Sequence, residues 1–562
     1  MLRGAQKAEP VGRWGVLILC SEERYGGGGR AGVGDGYMPM KRFLIIILAG
    51  MAALGASAGW AQGGAGPYVA PMMTPVAATP LDNLVRAQLS AHRLTPAPLC
   101  SDEVFLRRVF LDLLGTPPSP EEARDFLADR KADKRARLID ALLTRDEFAD
   151  YWSLKWGDLL RVKSEFPIRL WPNAVQAYHH WIHDAMQVNL PYDQFARALL
   201  TSSGSNFHEP PVNFYRAVQD HDPQTLAAAV ALTFMGTRLA SWPEDKRKQM
   251  AAFFSRILYK GTDEWKEEIV ELDPAPAQPL AATLPDGSLV LIAADQDPRE
   301  VFADWLLKPG NPWLARAIVN RMWYWFMGRA IIQEPDDIRP DNPPSNPALL
   351  AYLEKELVDS HYDLRHIYRL ILNSRTYQQS SLAPGESPDQ EKYFAFYPVR
   401  RLDAEVLIDA LGYLGGEGEG YQSIIPEPYT YIPPTNRTID LADGSISSHF
   451  LELFGRPARD TGMESERNNQ PTADQELFLL NGSEVEKKIE RSPALKTIVK
   501  LARGDTTYLT TWTYMTILSR YPTQQEMAAA QGYFRTKGLG VTQADWDLAW
   551  ALVNSKEFLY RH

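Results

Sequence analysis

The sequence predicts a mainly α-helical protein of two helical lobes, with a short β hairpin between them and a long irregular loop in the second lobe. Three observations predict it. Apolar residues recur at helical spacing through most of the 562-residue chain. Residues that cap helices sit at the ends of those stretches. Only Leu280–Ala293, LAATLPDGSLVLIA, carries a clear strand pattern, its Pro-Asp-Gly centre flanked by apolar residues as in a hairpin.

Taken in order, residues 1–37 fit neither a signal nor a domain and read as a translated upstream extension, with Met38 or Met40 the expected start. Met40-Lys41-Arg42 then precedes FLIIILAGMAALGASAGWA, a short basic region, an apolar core and small residues at two cleavage points. That is the pattern of a secretory signal, placed at 38–61, and the apolar run is too short and too rich in small residues for a stable membrane span after cleavage. The expected location is therefore the periplasm, the cell surface or the extracellular space. A Gly/Pro/Ala/Thr linker follows at 62–80.

The first helical domain is expected over 81–272. Leu81, Leu84, Val85 and Leu89 follow helical spacing. Ser101 opens SDEVFLRRVFLDLLG as an N-cap and Gly115 closes it. Ser119-Pro120-Glu121-Glu122 begins the next helix with a capping box. Helices are expected at Tyr178–Met186, Tyr192–Leu200, Gln224–Gly236 and Asp245–Leu258. The Pro/Ala stretch Asp273–Pro279 and the hairpin make a linker at 273–296. The second domain is expected over 297–562, with Gly415–Ser448 as its long loop. A helical-hairpin unit recurs: FLRRVFLDLLGTPPSPEEARDFL near the start and YLTTWTYMTILSRYPTQQEMAAA near the end, with capping boxes at Ser119/Glu122 and Thr523/Glu526.

Composition excludes several classes. The net charge is −11 and no basic tract stands out, so nucleic acid is not an expected partner. Cys20 and Cys100 are the only cysteines, too few for a disulfide framework, a zinc site or an iron–sulfur site. No nucleophile elbow, P-loop or dinucleotide fingerprint occurs, and no cofactor is expected. The 15 Trp and 24 Tyr can fill cores, and they can line a carbohydrate or peptide groove.

The richest block runs from Asn311 to Ser380. An aromatic helix there carries Asn320, Arg321, Trp323, Phe326 and Arg329, and a Pro/Asn/Asp-rich loop follows from Glu334 to Pro347. Large aromatics beside fixed charges are costly to bury unless the charges are paired. Asp336, Asp337 and Asp341 in that loop could hold Ca²⁺ or serve as acid and base on a glycoside, but capping of turns is the preferred reading. Arg400, Arg401, Asp403, Glu405 and Asp409 open one charged helix, and Arg456, Arg459, Asp460, Glu464, Glu466 and Arg467 form a second cluster. Interlocking salt bridges are the preferred reading of both. The sharper one is a polar pocket gated by the long loop and lined by Tyr421, Tyr429 and Tyr431. His179 and His183 stand one helical turn apart, as two metal ligands would, but no third ligand is apparent and no metal is expected.

The ordered motifs NLPYDQFARALL, DPREVFADWLLKPGNPWLARAIVNRMWYWFMGR, DDIRPDNPPSNPALL, YPVRRLDAEVLIDAL and FGRPARDTGMESERNNQPTADQELFLLNG resemble a secreted bacterial family with paired domains of unknown function 1549 and 1553, abundant in planctomycetes and their relatives. Many relatives carry a haem-attaching Cys-x-x-Cys-His run where this chain reads GTRLASWPEDKRKQM, with Leu239, Ala240, Ser241 and Trp242. Many also have cysteines where this chain has Met463 and Ser465. The resemblance thus implies a haem-free member. It also implies work on or near extracellular polysaccharide, with a glycan or a secreted sulfatase-like protein as partner. The leading expectation is a non-catalytic scaffold or binding protein. The alternative is a carboxylate-dependent hydrolase or lyase acting on a glycan, with Asp336, Asp337, Glu405 and Glu466 as catalytic candidates. A further alternative is a haem-free relative of a redox partner. Candidate binding residues are Asn320, Arg321, Arg329, Arg401, Asp409, Arg456, Arg459, Arg467, Tyr429 and Tyr431.

Overall fold

A computed structural model describes residues 68–69, 76–274, 278–416, 418–425, 430–433 and 435–562. The upstream stretch, the signal pattern, most of the linker after it and Tyr429 lie outside the described residues. The fold is mainly α, with three small sheets. Among the described residues no helix is long and apolar enough to cross a membrane.

The cap residues act as their side chains dictate. Ser101 accepts a hydrogen bond from the Val104 amide at 3.3 Å and starts the helix Asp102–Leu114. That helix ends at Gly115, whose φ of 61° is left-handed. A Cβ there would lie 2.5 Å from the Tyr151 ring, so both backbone shape and space call for glycine. Both expected capping boxes close. Glu122 and Ser119 exchange bonds at 2.8 and 3.2 Å, and Glu526 and Thr523 do the same at 2.8 and 3.2 Å.

The hairpin pairs Leu280–Thr283 with Leu289–Ile292, in the register Leu280↔Ile292 and Thr283↔Leu289. A second sheet was not expected: Gly204–Ser205, Glu268–Leu272 and Ile257–Gly261 lie antiparallel in that order. The helix expected to run through Leu258 therefore stops early, as Glu244–Ala251, and Leu258 belongs to a strand. A third ladder joins Arg400–Arg401 to Tyr560–Arg561, which brings the last residues against the start of the helix Ala404–Gly415.

The two halves share their interior. One contiguous set of buried apolar side chains runs from Leu81 to Phe558. Trp152, on the helix Asp146–Leu159, packs against Trp325 and Phe326 of the helix Leu314–Met327 at ring separations of 5.2 and 5.7 Å. Arg108 is buried, donates to the backbone oxygens of Gln379 and His562 at 3.0 and 2.9 Å, and lies 3.7 Å from the centre of the Tyr397 ring. Cutting the chain at the hairpin would expose this shared surface on both pieces. The chain is accordingly expected to melt in one cooperative calorimetric transition. Two separated transitions would show independent cores.

Candidate functional site

Two guanidinium groups on or beside the aromatic helix Leu314–Met327 take up helix-end carbonyls. Helix C-terminal carbonyls have no partner of their own and carry partial negative charge, so a cation beside them is favourable. Arg321, fully buried, donates to the Thr233 and Leu232 carbonyls at the end of the helix Pro223–Met235 and to Asp336 at 2.7 Å. Arg400 does the equivalent for the aromatic helix itself, donating to the Trp325 and Phe326 carbonyls at 2.8 and 2.7 Å. It comes so close that a Cβ on Gly328, the left-handed cap with φ 68°, would sit 2.2 Å from the arginine Cδ. Asn320 uses both ends of its amide on the Ile332 backbone, at 3.0 and 2.8 Å, and so fixes the loop that carries Asp336.

The two charged clusters interlock. Arg467 reaches Glu405 at 2.7 Å and Asp158 at 2.7 Å, and lies 3.8 Å from Asp403. Arg456 lies 3.4 Å from Glu405, and its remaining donors go to the Ile446 and Asp443 carbonyls. Arg459, also fully buried, binds Asp158 at 2.9 Å and the Ala442 carbonyl at 2.7 Å. Burying any one of these ions alone would cost several kcal/mol, so their mutual neutralisation is a condition of the fold. Asp403 shows the balance: burial alone would raise its pKa, but Lys155, Arg561 and Arg467 outweigh burial and hold it well below the usual carboxylate range.

At the C-terminal end of the aromatic helix this network opens onto a cleft of about 360 Å³. Tyr324, Trp325, Lys155, Asp403, Glu464 and Asn469 line it, among others. Asn469 donates to Asp403 at 2.6 Å, and the Trp325 indole N–H donates to Glu464 at 2.7 Å. Glu464 differs from its neighbours because it has no ion-pair partner among the described residues. Burial, and then the nearby Asp336, push its carboxyl up to about 7, while Arg321 and Lys155 oppose the rise. The cleft therefore holds one firmly ionised carboxylate and one carboxyl able to gain or lose a proton near neutral pH.

The other sequence candidates fall in different places. Asp336 and Glu405 are consumed by Arg321 and by Arg467 with Arg456. Asp337 pairs with Arg339 at 3.1 Å. Glu466 accepts the Asp460 and Thr461 amides and so caps a turn. These four carboxylates are not brought together in the cleft. Asp409 accepts the Thr438 and Ile439 amides at 2.8 and 3.0 Å, and burial raises its pKa. Arg329 has no ion-pair partner among the described residues. Glu464 stood in a recognised charged run, but its raised pKa comes from burial and then from Asp336, 128 residues away, which no local pattern shows. Lys155 gave no signal at all.

His179 and His183 do share a cavity, of about 390 Å³, with Asp150, Asp440 and Tyr431 under the long loop. Tyr431 thus faces the histidine helix Pro172–Gln187 rather than the arginine cleft. His183 contacts Asp150 at 3.2 Å, and that hydrogen bond raises its pKa. Burial, followed by Arg459, lowers His179 to about 3. No group of three or more His, Cys, Asp or Glu among the described residues is arranged to hold a metal ion.

Comparison with known families places this architecture. Residues 80–256 match the family described as "Protein of unknown function (DUF1549)", and residues 298–534 match "Protein of unknown function (DUF1553)". The chain carries these two domains in tandem. No curated protein and no solved structure matches it.

The Glu464 carboxyl makes stability depend on pH. Its folded pKa is raised from the ordinary 4.5 to about 7, so folding favours the protonated form. The unfolded chain ionises first as pH rises, and this group's contribution to stability therefore falls between about pH 4.5 and pH 7. Urea midpoints measured across that range are expected to fall less in Glu464→Gln than in the parent protein. Parallel curves would contradict the assignment.

Proposed function

We propose that this member of the paired-domain family is an exported binding protein that holds a carbohydrate ligand in the Trp325 cleft. One observation carries the reading. The carboxylates best placed in the sequence for hydrolysis are absorbed into arginine pairs or backbone caps, while the cleft itself presents Tyr324, Trp325 and Tyr560 beside the amides of Asn468, Asn469 and Gln470. Aromatic rings next to fixed hydrogen-bonding groups suit the apolar faces and hydroxyl edges of sugars. The neutralised network behind them keeps those walls rigid, so little ordering is required on binding. The apolar run after Met40-Lys41-Arg42 supports export to the periplasm or cell surface, where a polysaccharide would be met.

A second reading rests on a specific observation. Asp403 and Glu464 line the same cleft with pKa values pushed in opposite directions, which is the arrangement an acid–base hydrolase or lyase requires.

A glycan array on protein lacking residues 1–61, read with and without Ca²⁺ and followed by product analysis of every bound glycan, separates the two. The binding reading predicts retention without turnover. It also predicts about tenfold weaker binding, or ~1.4 kcal/mol, in Asn468→Ala/Gln470→Ala with unchanged melting behaviour. Product formation that disappears in Glu464→Gln would establish the catalytic reading instead.

A further inference from the structure

The whole protein is acidic, with net charge −11, yet the cleft wall is not. Lys155, Arg400, Arg401, Arg467 and Arg561 line it against only two carboxylates, Asp403 and Glu464. Arg467 is fully answered by Glu405 and Asp158. Arg561 approaches Asp112 and Asp403, each at 3.2 Å. Arg401 is hydrogen-bonded but not neutralised, while Arg400 has a carboxylate only at longer range. Arg401 gives its donors to the Gln475 side-chain oxygen and to the Phe454 and Asn468 carbonyls at 2.9 and 3.4 Å, with no carboxylate in ion-pair reach among the described residues. Burial lowers its pKa accordingly. Arg400 is bonded to the Trp325 and Phe326 carbonyls and to the Tyr397 hydroxyl. Its nearest carboxylate oxygen, on Asp112, is 3.7 Å away and is held more closely by Arg561. Carbonyl oxygens satisfy the geometry of a guanidinium without cancelling its charge.

We infer that the ligand of this cleft is an acidic carbohydrate, its oxyanion group drawn in by the unneutralised Arg401 and met by the Lys155 ammonium. The inference rests on the cleft being the carbohydrate site and adds the charge of the sugar. A cation buried in a low-dielectric wall is stabilised by an anion entering beside it, and a recess of one sign within a surface of the other concentrates counter-charged ligands. Lys155, largely buried, makes its one hydrogen bond among the described residues to Asp403 at 2.8 Å. Its remaining ammonium hydrogens can serve a ligand carboxylate, sulfate or phosphate, which share this chemistry.

Glu464 sets how the charge of the cleft varies. Asp336, Arg321, Lys155, Tyr324 and the Trp325 indole are the charged or polar groups that act on it. Protonated, it leaves the excess positive charge intact. Ionised, it cancels part of it. With the carboxyl raised to about 7, affinity for an acidic sugar falls as pH rises from 6 to 8.5.

The test is calorimetric titration of the wild-type protein with a uronic-acid trisaccharide and with the neutral trisaccharide of the same linkage, at two salt concentrations and at pH 6 and 8.5. The expected result is at least tenfold tighter binding of the acidic sugar at low salt, a difference that shrinks at high salt, and about tenfold weaker binding at pH 8.5. Glu464→Gln should bind the acidic sugar equally well at both pH values. Equal affinity for the two sugars would overturn the charge inference and leave the carbohydrate cleft standing. Binding of neither would overturn both. The comparison of the two sugars needs no substitution, so a variant that failed to fold would not obscure it.

Discussion

Arg467 is the interaction on which the rest of the structure depends. It takes Glu405 and Asp158 at 2.7 Å each, and so joins the helix Ala404–Gly415 to the helix Asp146–Leu159 through one planar group. Arg459 meets the same Asp158 from the other side, and Arg456 meets the same Glu405. Each acid is shared and each cation is bonded more than once. No member can leave without stranding a charge in the interior, which is why such a network rigidifies as well as connects. The Trp152–Trp325 contact ties that same helix, Asp146–Leu159, to the aromatic helix Leu314–Met327, so the apolar and ionic parts of the interior meet on one element.

That constraint explains why a cleft exists where it does. The aromatic helix ends at Gly328, whose left-handed backbone turns the chain away; Arg400 occupies the space a side chain there would need, and the carbonyls freed are taken by the same arginine. The segment carrying Glu464 is then held by the hydrogen bond its backbone N–H donates to Asp336 at 2.7 Å, with Asp336 itself fixed by Arg321. Polar walls anchored in this way keep their shape in the absence of a ligand. A carboxyl placed among them without a cation departs from the pairing seen around Arg467, and such a departure makes Glu464 a candidate for a working group.

Much of this was legible in the sequence, and the boundary of legibility is physical. Caps, helix lengths and the hairpin depend on residues a few positions apart, so Ser101, Gly115, the Ser119/Glu122 and Thr523/Glu526 boxes and Pro285-Asp286-Gly287 could be read directly. The charged clusters around Arg401 and Arg467 were visible as compositions, and pairing was the natural expectation for charges beside so many aromatics. Their partners were not visible. Arg467 and Asp158 are 309 residues apart, and Lys155 and Asp403 are 248 apart. The sheet formed by Ile257–Gly261 and Glu268–Leu272 escaped because its residues are mostly half-exposed, leaving no alternation of apolar and polar side chains to read. Glu464 escaped because its character comes from what it lacks, which no local pattern records.

A double-mutant cycle on Asp158→Ala and Arg467→Ala, followed by denaturant unfolding, measures how far the two ions depend on each other. The two substitutions are expected to be strongly non-additive, with a coupling energy of about 2 kcal/mol or more, because each strands the same buried partners. A coupling below about 0.5 kcal/mol would mean that the two groups do not depend on each other, and would contradict that expectation.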